Sequence, residues 1–257
     1  MGKTCFEFFL MTIIPLASSS KGNAYAVVSG GATLLVDCGL TCKKLCERCD
    51  ALGVDLDTVA AVMVTHDHSD HVGGLRVFLR KYDVPVYANM MTAEKVACDN
   101  GIDESAFVCF ENGQDFDIAG MRVTAFSTPH DAVDSVGYFI EDGSRSYFHG
   151  TDIGTPLDSV GRYLLRADVA TLESNHDLQM LSASSRAEFL KQRIAGPRGH
   201  LSNDDAAELV AKYASCRLKK IFLAHLSEEC NAPHLALASM ESALKKIGRN
   251  DIELVVL

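Results

Sequence analysis

The sequence predicts an α/β protein: mixed β-sheets with helices packed outside them. Three observations predict it. Short apolar runs rich in β-branched residues alternate with stretches of amphipathic, helical spacing along the 257 residues. Tight polar turns join the early runs, and helices join the later ones, so strands of both orientations are expected. No linker, repeat or shift in composition divides the chain, so a single domain over residues 1–257 is expected.

The elements follow in order. Residues 24–29 (AYAVVS) and 32–37 (ATLLVD) flank Gly30-Gly31 and read as a hairpin. A helix over 41–52 stops near Gly53, because glycine readily takes the left-handed conformation that ends helices. The run VAAVMV at 59–64 is short, apolar and β-branched, the pattern of a strand buried on both faces. It gives way to the polar string THDHSDH, and a helix begins just after Gly73-Gly74. Further strands fit at 84–88, 121–126, 136–140 and 145–148. Toward the end, helices over 203–215 and 234–247 alternate with strands at 168–172, 219–224 and 252–257.

Composition excludes several classes. With 47% hydrophobic and 23% charged residues the chain is a globular protein rather than a disordered one. No apolar run reaches the roughly 20 residues that span a bilayer, so no membrane partner is expected. The formal charge of -10, from 24 Lys+Arg against 34 Asp+Glu, argues against a partner held by broad electrostatics. Nine Cys in no stapling pattern suit free thiols in a reducing, cytoplasmic compartment. Cys42, Cys46 and Cys49 have a C-x3-C-x2-C spacing used elsewhere for iron–sulfur clusters. However, Arg48 stands where an aromatic is usual, and Leu45 lies between Cys42 and Cys49 on one helical face, so helix packing is favoured. The stretch CFEFFLMTIIPLASSS resembles a short signal peptide, but Glu7 interrupts its apolar run; Met11 offers an alternative start, making residues 1–10 an extension.

The most informative stretch is His66-Asp67-His68-Ser69-Asp70-His71. Five metal-capable groups in six positions follow a buried strand, whereas a solvated polar loop accounts for only one or two. Alternation along an extended chain points His66 and His68 the same way, while Asp70 and His71, on the turn beyond, can face a second ion. A site made only of His and Asp suits Zn or Mn.

THDHSDH resembles the H-x-H-x-D-H signature of the metallo-β-lactamase superfamily, and TPHDAVDSVGY, FHGTDIG and LAHLS resemble its later ligand segments in order. That resemblance implies a four-layer αββα sandwich with two divalent ions. By it, His66, His68 and His130 hold one ion; Asp70, His71 and His225 hold the other; Asp152 bridges them. A bridging Asp rather than Cys sets the chain apart from common β-lactamase branches, and Asp67 weakens a glyoxalase-like reading. SSSKGNAYAV, ESNHD, LKQRIAGPRGHLSNDDAAELV and FLAHLSEECNAP are further similar to the YycJ/WalJ subfamily. The subfamily implies a metal-dependent 5′-to-3′ DNA exonuclease using a metal-activated hydroxide. The Gly199–Ser202 block also resembles tRNase Z, with Leu201 inserted in its motif, and implies that Glu173 orients a catalytic His200. Asp70 would orient the attacking hydroxide as well as bind metal. The competing reading of His200 is an exposed loop residue, with Ser202 or Asn203 capping the next helix.

Substrate contacts are expected from Lys191, Arg193 and Arg198, in a locally basic segment that begins at Arg186, and from Ser202. The polar loop of Ser19, Ser20, Lys21 and Asn23 is a further candidate. The length leaves no room for the inserted domain of β-CASP nucleases, and no long tRNA-gripping arm is evident. Both points favour a compact exonuclease over a tRNA processor, and DNA is the substrate that the subfamily resemblance implies. An RNA-processing nuclease, a phosphodiesterase of small cyclic or diester metabolites, and a non-catalytic regulatory partner are the alternatives.

Overall fold

A computed structural model describes residues 10–257 as two mixed sheets packed face to face. The first contains β1 (Thr12–Ala17), β2 (Ala24–Ser29), β3 (Ala32–Val36), β4 (Val59–Met63), β5 (Val86–Asn89) and β6 (Phe107–Phe110), neighbours in chain order. Its first two pairings are antiparallel and the rest parallel. The second repeats the scheme with β7 (Asp115–Ile118), β8 (Met121–Ser127), β9 (Val136–Glu141), β10 (Ser146–Gly150), β11 (Val169–Glu173), β12 (Lys220–Ala224) and β13 (Glu253–Val256). Pairing is antiparallel up to β10 and parallel beyond it.

Helices α1 (Cys42–Leu52), α2 (Ser69–Val72), α3 (Leu75–Leu79) and α4 (Met90–Asn100) lie along the first half of the chain. The second half adds α5 (Asp158–Leu164), α6 (Leu178–Ala183), α7 (Glu188–Ile194), α8 (Asn203–Tyr213) and α9 (Pro233–Lys246). Alternate residues of each central strand go to different cores, which is why these strands read as continuous apolar runs. In β3, Leu34 and Val36 face the other sheet while Leu35 faces α1 and α3. In β10, Tyr147 faces the first sheet while Phe148 packs with residues of α5 and α8. Three buried clusters result: one between the sheets and one beneath each outer helical layer. These are the four layers of an αββα sandwich. Phe148 is fully buried, and truncating such a residue to Ala typically costs about 3–5 kcal/mol.

Local chemistry sets the helix ends. The Thr41 side chain caps α1, and Gly53 ends it at φ 70°. Cys42, Leu45 and Cys49 are buried beneath α1, and among the described residues no cluster able to hold a metal includes them. Helix packing therefore accounts for that cysteine spacing. Residues 12–17 of the signal-like stretch form β1, paired to β2; its start, and nearly all of the candidate 1–10 extension, lies outside the described residues. No helix among the described residues is long and apolar enough to cross a membrane.

The strands expected at 121–126, 136–140, 145–148, 168–172, 219–224 and 252–257 form within two residues of those bounds, as do both late helices. The chain also forms β6, β7, α4 and α5, which the sequence did not mark. One placement is corrected: Asp70 and His71 sit in the short helix α2 rather than a turn, because the His68 carbonyl accepts hydrogen bonds from the His71 and Val72 amides.

Candidate active site

Parallel strands β3, β4, β10, β11 and β12 end at one edge of the sandwich, and each delivers a polar side chain there. Asp37 follows β3, Thr65 and His66 follow β4, Asp152 follows β10, Glu173 ends β11, and His225 follows β12. Carboxyl ends of parallel strands are where α/β sheets commonly place ligand sites. Asp37, Asp152 and His225 take positive φ (62°, 56° and 57°), costly for residues other than glycine. The sharp turn aims each side chain sideways into the site.

Ligand-capable atoms fall into overlapping clusters. His66, His68 and His130 form one, and Asp70, His71 and His225 another. Asp152 lies between them: its Oδ2 is 3.3 Å from His71 Nε2 and its Oδ1 3.6 Å from His130 Nε2. The buried atoms His66 Nε2, His225 Nε2 and Asp152 Oδ2 have no hydrogen-bond partner. A buried polar atom left unpaired costs about 1–3 kcal/mol, so three in one place mark a site shaped for something else to bind them. Divalent ions fit this donor set, and the residues present suit the two-ion arrangement.

Outer contacts fix the imidazoles. His71 Nδ1 lies 2.7 Å from Asp37 Oδ2, and Asp37 also accepts the Thr65 amide at 2.8 Å. The Nδ1 of His130 donates to the Gly199 carbonyl at 3.0 Å. Glu173 Oε1 lies 2.9 Å from His225 Nδ1 and 2.8 Å from His200 Nδ1, while its Oε2 accepts the Ile153 and Leu201 amides. Each contact puts the proton on Nδ1 and leaves Nε2 facing the cleft. Gly39 is obligatory in the loop behind α2, since a Cβ there would meet the Asp70 carbonyl oxygen at 1.6 Å.

The packed carboxylates and imidazoles shift one another's proton affinities strongly. Burial alone would lower His225, but Asp152, Asp70 and Glu173 outweigh it and raise it to about 10. Likewise burial opposes, and the Asp37 and Asp152 carboxylates overcome, the protonation of His71, held well above its ordinary value. Burial, reinforced by His71, pushes His66 well below. Burial would raise Glu173, yet His200 and His225 hold its carboxyl at about 2. The buried carboxylates thus favour positive charge at His71 and His225, a charge that bound cations would supply instead.

The cleft over these clusters is lined by His68, Asp70, His130, Asp152, His200 and His225, with Ser20 and Arg193 on its walls. Among the other expected substrate contacts, Lys191 Nζ donates to the Ser182 carbonyl and Lys21 pairs with Glu228, both toward solvent. Ser19 Oγ accepts the Lys21 amide within its own loop. Arg198 grips the His130 and Ala132 carbonyls and so braces a ligand loop. Two expectations are corrected. Ser202 is buried as the N-cap of α8, its hydroxyl spent in a capping box with Asp205. Asn23 is fully buried, its amide 3.1 Å from both Asp70 Oδ2 and His71 Nε2, so it positions those side chains. The sequence reading does not single out Asp37, Gly39 or the cleft residue Asp131. Asp37 carries a readable signal, an acidic residue ending an apolar strand, and Asp131 adjoins His130 in TPHDAVDSVGY; Gly39 carries none.

A four-layer αββα sandwich with His/Asp clusters at the shared edge of its sheets defines a metallohydrolase, and the chain belongs to the metallo-β-lactamase superfamily. The profile of the beta-lactamase superfamily domain matches residues 32–225. Exodeoxyribonuclease WalJ of Streptococcus pneumoniae is 36% identical over 234 residues, covering 89% of this chain and 86% of that protein. Exodeoxyribonuclease YycJ of Bacillus anthracis is 35% identical over 235 residues, covering 91% and 89%. Among solved structures, the metallo-β-lactamase fold protein YhfI from Bacillus subtilis superposes with a TM-score of 0.74 at 18% identity, covering 96% of this chain and 95% of that one.

Proposed function

We propose that this protein is a metal-dependent DNA exonuclease that hydrolyses phosphodiester bonds from the 5′ end. The observation that carries the reading is His200: an imidazole outside both expected ligand sets, held by Glu173 and facing the same cleft as Asp70 and Asp152. A hydrolase that only had to activate water would not need it. Cleaving a phosphodiester also calls for a donor to the phosphoryl group or the departing oxygen. His66, His68 and His130 would hold one divalent ion and Asp70, His71 and His225 the other, with Asp152 touching both. Such ions, Zn or Mn by ligand chemistry, lower the pKa of water and clamp a phosphoryl oxygen.

The remaining work falls to the chain. Asp70, accepting from Asn23, would orient the attacking hydroxide as well as hold metal. Glu173 fixes His200 with Nε2 outward and, against the lowering effect of burial, raises its pKa, the direction that suits a proton donor. Identity of 35–36% with exodeoxyribonucleases over nearly the whole chain supports DNA as the substrate. The outer wall favours a polynucleotide over a small metabolite. Helix α7 turns Leu190, Arg193 and Ile194 to the cleft, and Phe189, 68% exposed, stands one helical turn before Arg193. An exposed aromatic beside a guanidinium suits a nucleobase and its phosphate. The 5′ polarity follows the subfamily resemblance alone. The test is digestion of 5′- and 3′-labelled duplexes by metal-loaded protein, beside a small chromogenic phosphodiester. Release of the 5′ label supports the reading, and cleavage of the small diester alone would overturn it.

A further inference from the structure

Asp131 stands at the cleft with a carboxylate that neither expected ligand set uses. One of its oxygens pairs with the Arg193 guanidinium. The other lies 3.5 Å from His130 Nε2 and 3.9 Å from His68 Nε2. The carboxylate thus spans from the arginine of α7 to imidazoles of the first cluster, with all four residues on the cleft wall. An anionic group held between a guanidinium and a metal-binding edge is what a bound phosphate would look like there. Arg193 is 59% exposed and Asp131 27%, so their pair is part-solvated and of the modest strength that a competing anion can displace.

We propose that Asp131 is a built-in phosphate surrogate: it occupies Arg193 at rest, and a phosphate of the nucleic-acid strand takes its place. The pairing has two consequences. Without substrate, Asp131 neutralises the cation on the cleft wall and keeps Arg193 aimed inward from α7. When a strand enters, a phosphodiester offers the guanidinium the same two acceptor oxygens and single charge as the carboxylate, so it can replace Asp131 in like geometry while the strand's other contacts drive the exchange. Asp131 would therefore set affinity rather than chemistry. The inference rests on the phosphodiesterase reading, since it assigns a contact within that same cleft.

The test is a double-mutant cycle read by binding. Metal-loaded wild type, Asp131→Asn, Arg193→Ala and the double variant are titrated with a 5′-phosphorylated oligonucleotide carrying uncleavable phosphorothioate linkages, followed by fluorescence anisotropy. Losing Arg193 should weaken binding about 10-fold, and Asp131→Asn should tighten it about 3- to 10-fold. In the double variant the tightening should vanish, because Asp131 acts only through Arg193. Tightening that persists without Arg193 would overturn the proposal, since Asp131 would then act as a bulk charge. Metal content of each variant is measured in parallel. A loss of bound ion in Asp131→Asn would likewise overturn it, making Asp131 a ligand. Wild-type digestion of the unprotected oligonucleotide separates the two readings: no cleavage removes the phosphodiesterase assignment, whereas cleavage with unchanged variant affinities removes the surrogate alone.

Discussion

Glu173 accepts His200 Nδ1 at 2.8 Å through Oε1, the same oxygen that lies 2.9 Å from His225 Nδ1. One buried carboxylate therefore sets the tautomer of two imidazoles with different expected duties, and its second oxygen is anchored by two backbone amides. Replacing His200 with Ala should lower kcat on DNA by about 10²- to 10⁴-fold, the usual share of a proton donor, with metal content unchanged. Glu173→Gln should lower kcat and reduce metal retention as well, because it frees His225. Steady-state kinetics with metal analysis checks both. Equal metal loss in the two variants would contradict separate roles.

Asp37 holds His71 from behind at 2.7 Å. Asp37→Asn keeps the shape but removes the charge, and outer partners of metal ligands are typically worth about 10- to 100-fold in metal affinity. Competition with a chromogenic chelator should show a loss of that order. An unaltered affinity would show that Asp37 serves the fold alone.

Raising the pH from 6 toward 10 should act oppositely on the ion-free and metal-loaded forms. The His225 pKa is raised from 6.5 to about 10 by its carboxylates, so its contribution to ion-free stability is complete below about pH 6.5 and is lost as pH rises through 10. Glu173 is depressed from 4.5 to about 2, so its contribution is present above about pH 4.5 and is lost as pH falls toward 2. Metal binding needs neutral imidazoles. The rise in Tm on adding Zn or Mn should thus be larger at pH 9 than at pH 6. A rise that is constant or falls with pH would contradict proton displacement by metal.

Phe189 is 68% exposed and stands one helical turn before the cleft residue Arg193, and base stacking on an aromatic is typically worth about 1–3 kcal/mol. Phe189→Ala should raise KM for DNA by about 5- to 100-fold and leave hydrolysis of a small chromogenic phosphodiester unchanged. Equal effects on both substrates would place Phe189 in the fold of α7 instead.

Much of this was legible in the residues, for physical reasons that also explain the gaps. Buried parallel strands such as β4 and β12 announce themselves because both faces are covered, leaving unbroken apolar runs. The four-residue edge strands β6 and β7 have half-exposed, mixed faces, and β1 was masked by an apolar stretch resembling a leader. The ligand string stood out because histidines and aspartates rarely cluster by chance, whereas His130 and His225 needed the family resemblance to be noticed. In sequence, Asn23 and Ser202 look like substrate contacts, since polar loop residues near a site resemble one another. Only the three-dimensional contacts separate one facing the cavity from one facing Asp70 or capping α8. The pairing of Asp131 is hidden for the same reason: its partner Arg193 is 62 residues away.

The most direct test of the central claim compares metal-loaded wild type with Asp152→Ala on 5′-labelled and 3′-labelled DNA. Wild type should release the 5′ label in a reaction that chelator stops and Zn or Mn restores, and the variant should lose both bound metal and cleavage. Undiminished cleavage by Asp152→Ala, or a metal-replete wild type inert on both DNAs, would contradict it.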